Sequence, residues 1–360
     1  AEILGVSTST VYRMVHRGTL VPFKTPGGQR RFTISALEAF KEDSKAIVAP
    51  QNPSKTKKSS KKINVAKDQD ENEQPEEKPV DKRNKLNDLN GRQWLPLTKS
   101  FFYQKGLGAK HPHAKIERQH PAPFSFQDVS QLISFFTKEG MSVLDPFGGV
   151  GSTAKACELE GRFCTSIELQ NKWNDLAIER LETEVGEGTS KNHNFIVGDS
   201  RSILKEFEDA SFDFMVTSPP YWSILNKKAD HKVKKERLSN NLATNYSDDI
   251  NDLANIEDYN EFLKILVDDV FMECGRLLKE KKYMCLIVSD FRNKSEFISF
   301  HSDLIQSLNQ RETKDGFKIC LQGVKVLIQN HKSLLPYGYP FAYVENIHHQ
   351  YILIFRKDGK

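Results

Sequence analysis

Short apolar runs recur through the second half of the chain, several followed by a stretch whose apolar positions fall three and four residues apart. Ser142-Val143-Leu144, Phe163-Cys164-Thr165-Ser166-Ile167, Phe195-Ile196-Val197, Phe214-Met215-Val216 and the run Tyr283 to Val288 are continuous enough to be strands buried on both faces. Thr153 to Leu159 and about Lys172 to Leu181 carry helical spacing. Such alternation predicts βαβ units and an α/β, Rossmann-like, mostly parallel sheet covered on both sides. Val324 to Ile328 and Tyr351 to Phe355 predict a closing pair that brings in an antiparallel strand.

Ahead of this region the pattern changes twice. Residues 1–44 are compact and apolar-periodic, and they open at Ala1 in what reads as the middle of a helix. Residues 45–92 are Lys, Ser, Asn, Gln, Glu, Asp and Pro with almost no aromatics, a composition that buries too little apolar surface to offset chain entropy. A disordered charged linker is expected there, and a large domain over 93–360. No internal repeat is evident.

Composition narrows the function classes. Of 360 residues, Lys and Arg number 52 and Asp and Glu 48, so the formal charge of +4 is too small to imply a nucleic-acid partner by itself. The cysteines, Cys157, Cys164, Cys274, Cys285 and Cys320, form no C-x-x-C pair, which disfavours a zinc module or disulfide framework and suits a reducing cytosol. No apolar run approaches the length of a membrane span, so no membrane partner and a cytoplasmic location are expected.

The first βα turn reads Asp145-Pro146-Phe147-Gly148-Gly149-Val150-Gly151-Ser152-Thr153. Glycines admit a ligand close to the backbone, and a helix N-terminus offers N–H groups to a carboxylate. The next strand ends in Glu168, at the spacing where an acid reaches ribose hydroxyls. A third ends at Asp199-Ser200, where a carboxylate can accept from an adenine amine. Three acids at successive strand ends point to a bound nucleoside. The turn lacks the G-x-G-x-x-G spacing of dehydrogenases and the Gly-Lys-Ser/Thr of a P-loop. Its leading Asp145-Pro146-Phe147 favours S-adenosyl-L-methionine. Expected cofactor contacts are therefore Asp145, Phe147, Gly148, Gly149, Gly151, Ser152, Glu168, Asp199 and Ser200.

After the fourth strand comes Thr217-Ser218-Pro219-Pro220-Tyr221-Trp222. Here the chain resembles the amino-methyltransferases of DNA, whose motif is Asp/Asn/Ser-Pro-Pro-Tyr/Phe/Trp and whose cofactor turn is Asp-Pro-Phe-x-Gly-x-Gly. The resemblance runs from Trp94 to Lys357 and takes in His120-Pro121-Ala122-Pro123-Phe124-Ser125 and Asn346-Ile347-His348-His349-Gln350-Tyr351. It implies methyl transfer to the exocyclic amine of a flipped base, with Phe124 and Ser125 added to the cofactor site. Ser218 and Pro219 would offer acceptors to the amine, Pro220 would stiffen the arc, Tyr221 would stack on the base, and Trp222 would pack behind. Serine at the first position favours cytosine N4, with adenine N6 as the alternative. Carbon-5 methylation needs a nucleophilic cysteine, usually after proline, and no cysteine here follows one.

Two further segments bear on DNA. Ala1 to Val15 reads helix, Gly5 turn, helix, and Lys24 to Phe32 reads as a basic hairpin. Together they resemble the winged helix-turn-helix of excisionase and MerR-type proteins. That resemblance implies major-groove contacts from Ser7, Thr8, Ser9, Thr10, Tyr12 and Arg13, and phosphate contacts from Lys24, Arg30 and Arg31. The polar insertion from about Ser223 to Glu257 carries Lys227 and Lys228, which read equally as a phosphate-gripping arm or as a solvated loop. His111, His113, His120, His348 and His349 invite a metal, but methyl transfer needs none and no metal is expected. A non-catalytic DNA-binding regulator, or methylation of RNA or of a protein amide, remains the alternative. A restriction endonuclease partner is compatible with the family but invisible in the sequence.

Overall fold

A computed structural model describes residues 23–24, 30–31, 79–104, 111, 113–224, 247–313, 316–329 and 332–359. The chain divides into two compact units, 1–73 and 74–360. In the first, the short strands Phe23–Lys24 and Arg30–Arg31 pair antiparallel, with Phe23 opposite Arg31 and Lys24 opposite Arg30. The expected basic hairpin is thus seen in its backbone. Ser7, Thr8, Ser9, Thr10, Tyr12 and Arg13 lie outside the described residues, as do Lys227 and Lys228.

The second unit enters its fold before the expected boundary at residue 93. Asn84, Asn87 and Asn90 turn the chain onto the domain, where the Asn87 side chain donates to the Phe135 carbonyl at 2.6 Å. Asn90 then caps α1 (Gly91–Leu97), in a capping box closed by Gln93. A tract poor in apolar residues is held here by side-chain amides, a signal that composition does not carry.

After β1 (Phe101–Tyr103), helix α2 (Phe126–Phe136) buries Phe126, Val129, Leu132, Ile133 and Phe136 along one stripe. Each such side chain contributes about 1.5–3 kcal/mol on burial. There follow β2 (Ser142–Asp145), α3 (Ser152–Glu160), β3 (Phe163–Glu168), α4 (Asn171–Glu184), β4 (Asn194–Val197), the single turn α5 (Ser200–Ile203) and β5 (Phe212–Thr217). Every residue of β5 is buried, as a central strand requires. Helix α6 (Tyr259–Ile265) continues through a π-helical stretch, Leu266–Phe271, into α7 (Met272–Leu277) and then β6 (Leu278–Val288). The small hairpin β7 (Phe291–Asn293) and β8 (Glu296–Ile298) precedes α8 (Phe300–Leu308), β9 (Arg311–Glu312), β10 (Lys318–Ile328) and β11 (His349–Asp358).

Among the described residues these strands make a nine-stranded sheet ordered β9-β10-β11-β6-β5-β2-β3-β4, with β1 also on β10. Pairs β2–β3, β3–β4, β2–β5 and β5–β6 are parallel. Strand β11 runs antiparallel between β6 and β10. The expected mostly parallel sheet with an antiparallel closing strand is present. The order reverses between β2 and β5, which opens a crevice at their carboxyl ends. No helix among the described residues is long and apolar enough to cross a membrane.

Candidate active site

The crevice is a cleft lined at its floor by Phe147, Gly148 and Gly149 and at its sides by Glu168, Asp199 and Ser218. The β2–α3 turn makes the floor because two glycines let it lie close against its neighbours. A Cβ at Gly148 would sit 1.9 Å from the Ser166 hydroxyl oxygen on β3. Gly151 has φ +71°, and its Cβ would meet that of Ala177 on α4 at 2.8 Å. The turn is thereby pressed flat against its neighbours, leaving its upper face to the cleft. Arg180 holds it from below, donating to the Val150 carbonyl and the Ser152 hydroxyl at 3.2 and 3.0 Å, while Ser152 donates to the Phe124 carbonyl at 2.7 Å.

Glu168 reaches back over the turn. Its carboxylate accepts from the Gly149 and Gln170 backbone N–H groups, both at 2.9 Å. Burial pushes its carboxyl up to about 7, against the pull of those two N–H donors. Asp199 caps α5 and is clasped by Arg201, whose backbone N–H and Nε both donate to it. Asp252 enters from the far wall, accepting from Ser247 at 2.7 Å and from the Ala254 N–H at 2.9 Å, and burial raises its carboxyl as well. Among the described lining residues, three carboxylates thus face one guanidinium. That balance suits a cation and opposes the pyrophosphate of a dinucleotide. S-adenosyl-L-methionine, with a sulfonium and an ammonium against one carboxylate, fits these residues.

The remaining expected residues divide. Phe124, Phe147, Gly148, Gly149, Ser152, Glu168, Asp199, Ser200, Ser218 and Pro220 do line the cleft. Asp145 does not. Its fully buried carboxylate accepts from the Phe147 N–H at 3.0 Å, from Thr217 at 2.6 Å and from Thr153, so it ties β2 to β5 and to the start of α3. Burial raises its carboxyl, and those three donors oppose the shift. Gly151 and Ser125 also lie off the lining, the latter with its hydroxyl buried and unmatched.

Ser218 stands at the rim, its hydroxyl 3.2 Å from that of Tyr221. Pro219 is buried. Tyr221 is turned toward the fold: its ring stands edge-on to Phe300, and its hydroxyl accepts from Gln350 at 3.0 Å. Trp222 is buried, with φ +46°, its indole N–H donating to the Ile256 carbonyl at 2.8 Å.

Several lining residues were not expected from the sequence. Trp173 and Gln170 come from α4 and its cap, and His120 meets the Trp173 ring edge-on with centroids 5.0 Å apart. Asn251, Asp252 and Leu253 come from the insertion after Tyr221, which read as polar loop. Only Asp252 followed by a short apolar pair hinted that its end folds back.

Comparisons with known proteins agree with this geometry. A family model described as DNA methylase matches residues 28–179, which takes in the glycine turn and Glu168 but stops short of Asp199 and Ser218. A model described as helix-turn-helix domain matches residues 1–45. The orphan methyltransferase M.BamHII of Bacillus amyloliquefaciens is 38% identical over 71 residues, 20% of this chain and 27% of that protein. The type II methyltransferase M.ScaI of Streptomyces caespitosus is 35% identical over 78 residues, 21% of this chain and 25% of that one. The matched segments therefore span about a quarter of the length of these relatives. A solved structure, of a putative DNA modification methylase from Thermus thermophilus, is 23% identical and covers 45% of this chain and 51% of that one, with a TM-score of 0.28. Both resemblances read from the motifs are borne out: that of the segment with the glycine turn and Glu168 to the DNA methylases, and that of the N-terminus to helix-turn-helix domains.

Proposed function

We propose that this chain transfers a methyl group from S-adenosyl-L-methionine to the exocyclic amine of a base in DNA, and that the amine is cytosine N4. One observation carries the reading: Ser218 and Pro220 open into the same cleft as the glycine turn, Glu168 and Asp199. A nucleoside-type cofactor and the Ser-Pro-Pro arc therefore share one chamber at the switch point of the sheet.

The chemistry follows from what the arc presents. An exocyclic amine is a weak nucleophile because its lone pair is delocalised into the ring. Acceptors at the Ser218 hydroxyl and Pro219 carbonyl, bonded to the two N–H groups, favour a pyramidal nitrogen and stabilise the charge it acquires. S-adenosyl-L-methionine supplies a methyl carbon on a cationic sulfur, which departs as a neutral thioether when the nitrogen lone pair takes that carbon. The nitrogen then sheds one proton to water. Glu168, Asp199 and the floor of the cleft hold the donor in place, so that proximity provides much of the rate. The base reaches Ser218 only by leaving its duplex. Cytosine N4 is preferred because a serine, not an acid or amide, opens the motif and Pro-Pro-Tyr-Trp follows. The N-terminal module supplies DNA affinity.

Nucleoside mass spectrometry on DNA treated with the protein and labelled cofactor tests the proposal, beside a Ser218→Ala, Pro219→Ala variant. Labelled N4-methylcytosine, absent with the variant, is the expected result. N6-methyladenine instead would overturn the choice of base, and no labelled base in DNA would overturn the activity.

A further inference from the structure

Between β10 and β11 the chain leaves the sheet and returns through Leu334-Leu335-Pro336-Tyr337-Gly338-Tyr339-Pro340-Phe341-Ala342-Tyr343. Large apolar side chains in a folded domain are normally turned inward, yet here Tyr339 is 81% exposed, Phe341 94% and Tyr343 84%. Lone exposed aromatics mean little, but three so exposed within five residues of one loop are unusual.

The loop is built to hold them out. At its neck, the Leu335 N–H donates to the Asn346 side chain and the Asn346 amide returns a bond to the Leu335 carbonyl, both at 2.9 Å. At its tip, the Phe341 and Ala342 N–H groups both donate to the Gly338 carbonyl, at 2.7 and 2.8 Å. A staple and a turn thus set the backbone before any partner arrives, which lowers the ordering cost of binding.

Its place is as informative as its shape. Strand β10 runs antiparallel to β11, which runs antiparallel to β6, so the end of β10 lies at the same edge of the sheet as the ends of β2 and β5. That edge carries the cleft. Gln350, four residues after Asn346, touches Tyr221 of the Ser-Pro-Pro-Tyr segment. Four residues span at most about 14 Å, so the neck of the loop lies within that reach of Gln350, at the edge of the sheet that carries Ser218.

Resting on the DNA-methylating reading above, we infer that this aromatic loop stacks on the bases next to the target base and holds the strand at the rim of the cleft. A base delivered to Ser218 brings its neighbours to that rim, and they are unstacked on the side the target has left. Flat rings on a preset loop match such faces without regard to sequence, and each base so stacked is worth about 1–3 kcal/mol. A membrane or a protein partner has no such reason to meet the rim of a cleft that receives a base.

The test uses the full chain and labelled cofactor, with bacterial genomic DNA as acceptor. Phe341→Ala and Phe341→Leu are expected to lower the initial rate at least tenfold, whereas Phe341→Trp, which keeps a π face, stays within threefold of the original. Cofactor affinity, measured by calorimetry, stays within twofold in all three, which shows that the fold is intact. An alanine variant as active as the original overturns the inference and leaves the methyl-transfer reading standing. So does a leucine variant as active as the tryptophan one, which would mean plain apolar packing against a protein or a second copy. An original protein that labels no DNA overturns the methyl-transfer reading and this inference with it.

Discussion

The side-chain amide of Gln350 on β11 donates to the Tyr221 hydroxyl across 3.0 Å, tying the closing strand of the sheet to the segment that opens with Ser218. Gln350 is itself oriented: its carbonyl oxygen accepts from Gln329 at 3.1 Å, and Gln329 also donates to Gln104 at 2.9 Å. With the oxygen turned away, only the amide N–H groups face Tyr221. Tyr221 then has its own proton to give to Ser218, 3.2 Å away.

Gln350 is therefore a positioning residue. Gln350→Leu removes a neutral hydrogen bond worth about 0.5–1.5 kcal/mol and lets the two hydroxyls rotate. A fall in kcat of about two- to tenfold is expected, with cofactor affinity and the KM for DNA little changed. Tyr221→Phe should lower kcat similarly, and the double variant should be no worse than either single one. Additive losses would show that the two act separately.

Glu168 predicts a pH dependence with two opposite signs. In the ligand-free protein burial lifts its carboxyl from 4.5 to about 7, so between those values the folded chain holds a proton the unfolded chain has released. The contribution of this group to stability is complete below about 4.5 and is lost as pH rises through about 7. Cofactor binding runs the other way, because only the ionised carboxylate accepts two ribose hydroxyls. Calorimetry at pH 8 and pH 6 should show affinity falling by roughly tenfold at the lower pH. Glu168→Gln should bind weakly at both pH values and show no such slope.

Gly148 and Ser166 should behave as a coupled pair. Gly148→Ala places a Cβ 1.9 Å from the Ser166 hydroxyl oxygen, a clash the flattened turn cannot absorb. Overpacking of this kind costs about 1–3 kcal/mol, and cofactor affinity should fall at least tenfold. Adding Ser166→Ala removes that oxygen and leaves the nearest atom of residue 166, its Cβ, at 3.3 Å, so most of the affinity should return. Failure of the second change to rescue would mean that the glycine serves the ligand directly.

Thr217→Val strips a donor from the buried Asp145 carboxylate, which retains the Phe147 N–H and Thr153. Loss of one hydrogen bond to a charged group costs about 1.5–3 kcal/mol. Thermal unfolding should move down by several degrees, and cofactor affinity should drop because the turn is anchored through Asp145. An unchanged melting temperature would count against this role.

Deleting residues 1–44 should lower affinity for DNA at least tenfold while leaving cofactor affinity within twofold, and it should flatten the dependence of DNA binding on salt. Filter binding at two salt concentrations would read both effects.

Much of the fold was legible because its signals are local. Continuous apolar runs such as Phe214-Met215-Val216 mark a strand buried on both faces, and each run read this way lies within a strand of the sheet. The glycine turn, the acids at strand ends and the Ser-Pro-Pro-Tyr segment were equally plain, since chain spacing alone places them at one edge of a parallel sheet. What each side chain does there was decided in three dimensions. Asp145 and Glu168 look alike in the sequence, as acids closing adjacent strands. Three donors converge on Asp145 from β5, α3 and the turn and bury it, whereas Glu168 meets two backbone N–H groups and still faces the cleft. The same holds for Tyr221, turned from the cleft by an amide 129 residues away, and for Asp252, brought to the cofactor wall from a stretch that reads as polar loop. Periodicity is written into consecutive residues; the partner of a polar group is set by which distant strands become neighbours, and only the folded sheet determines that.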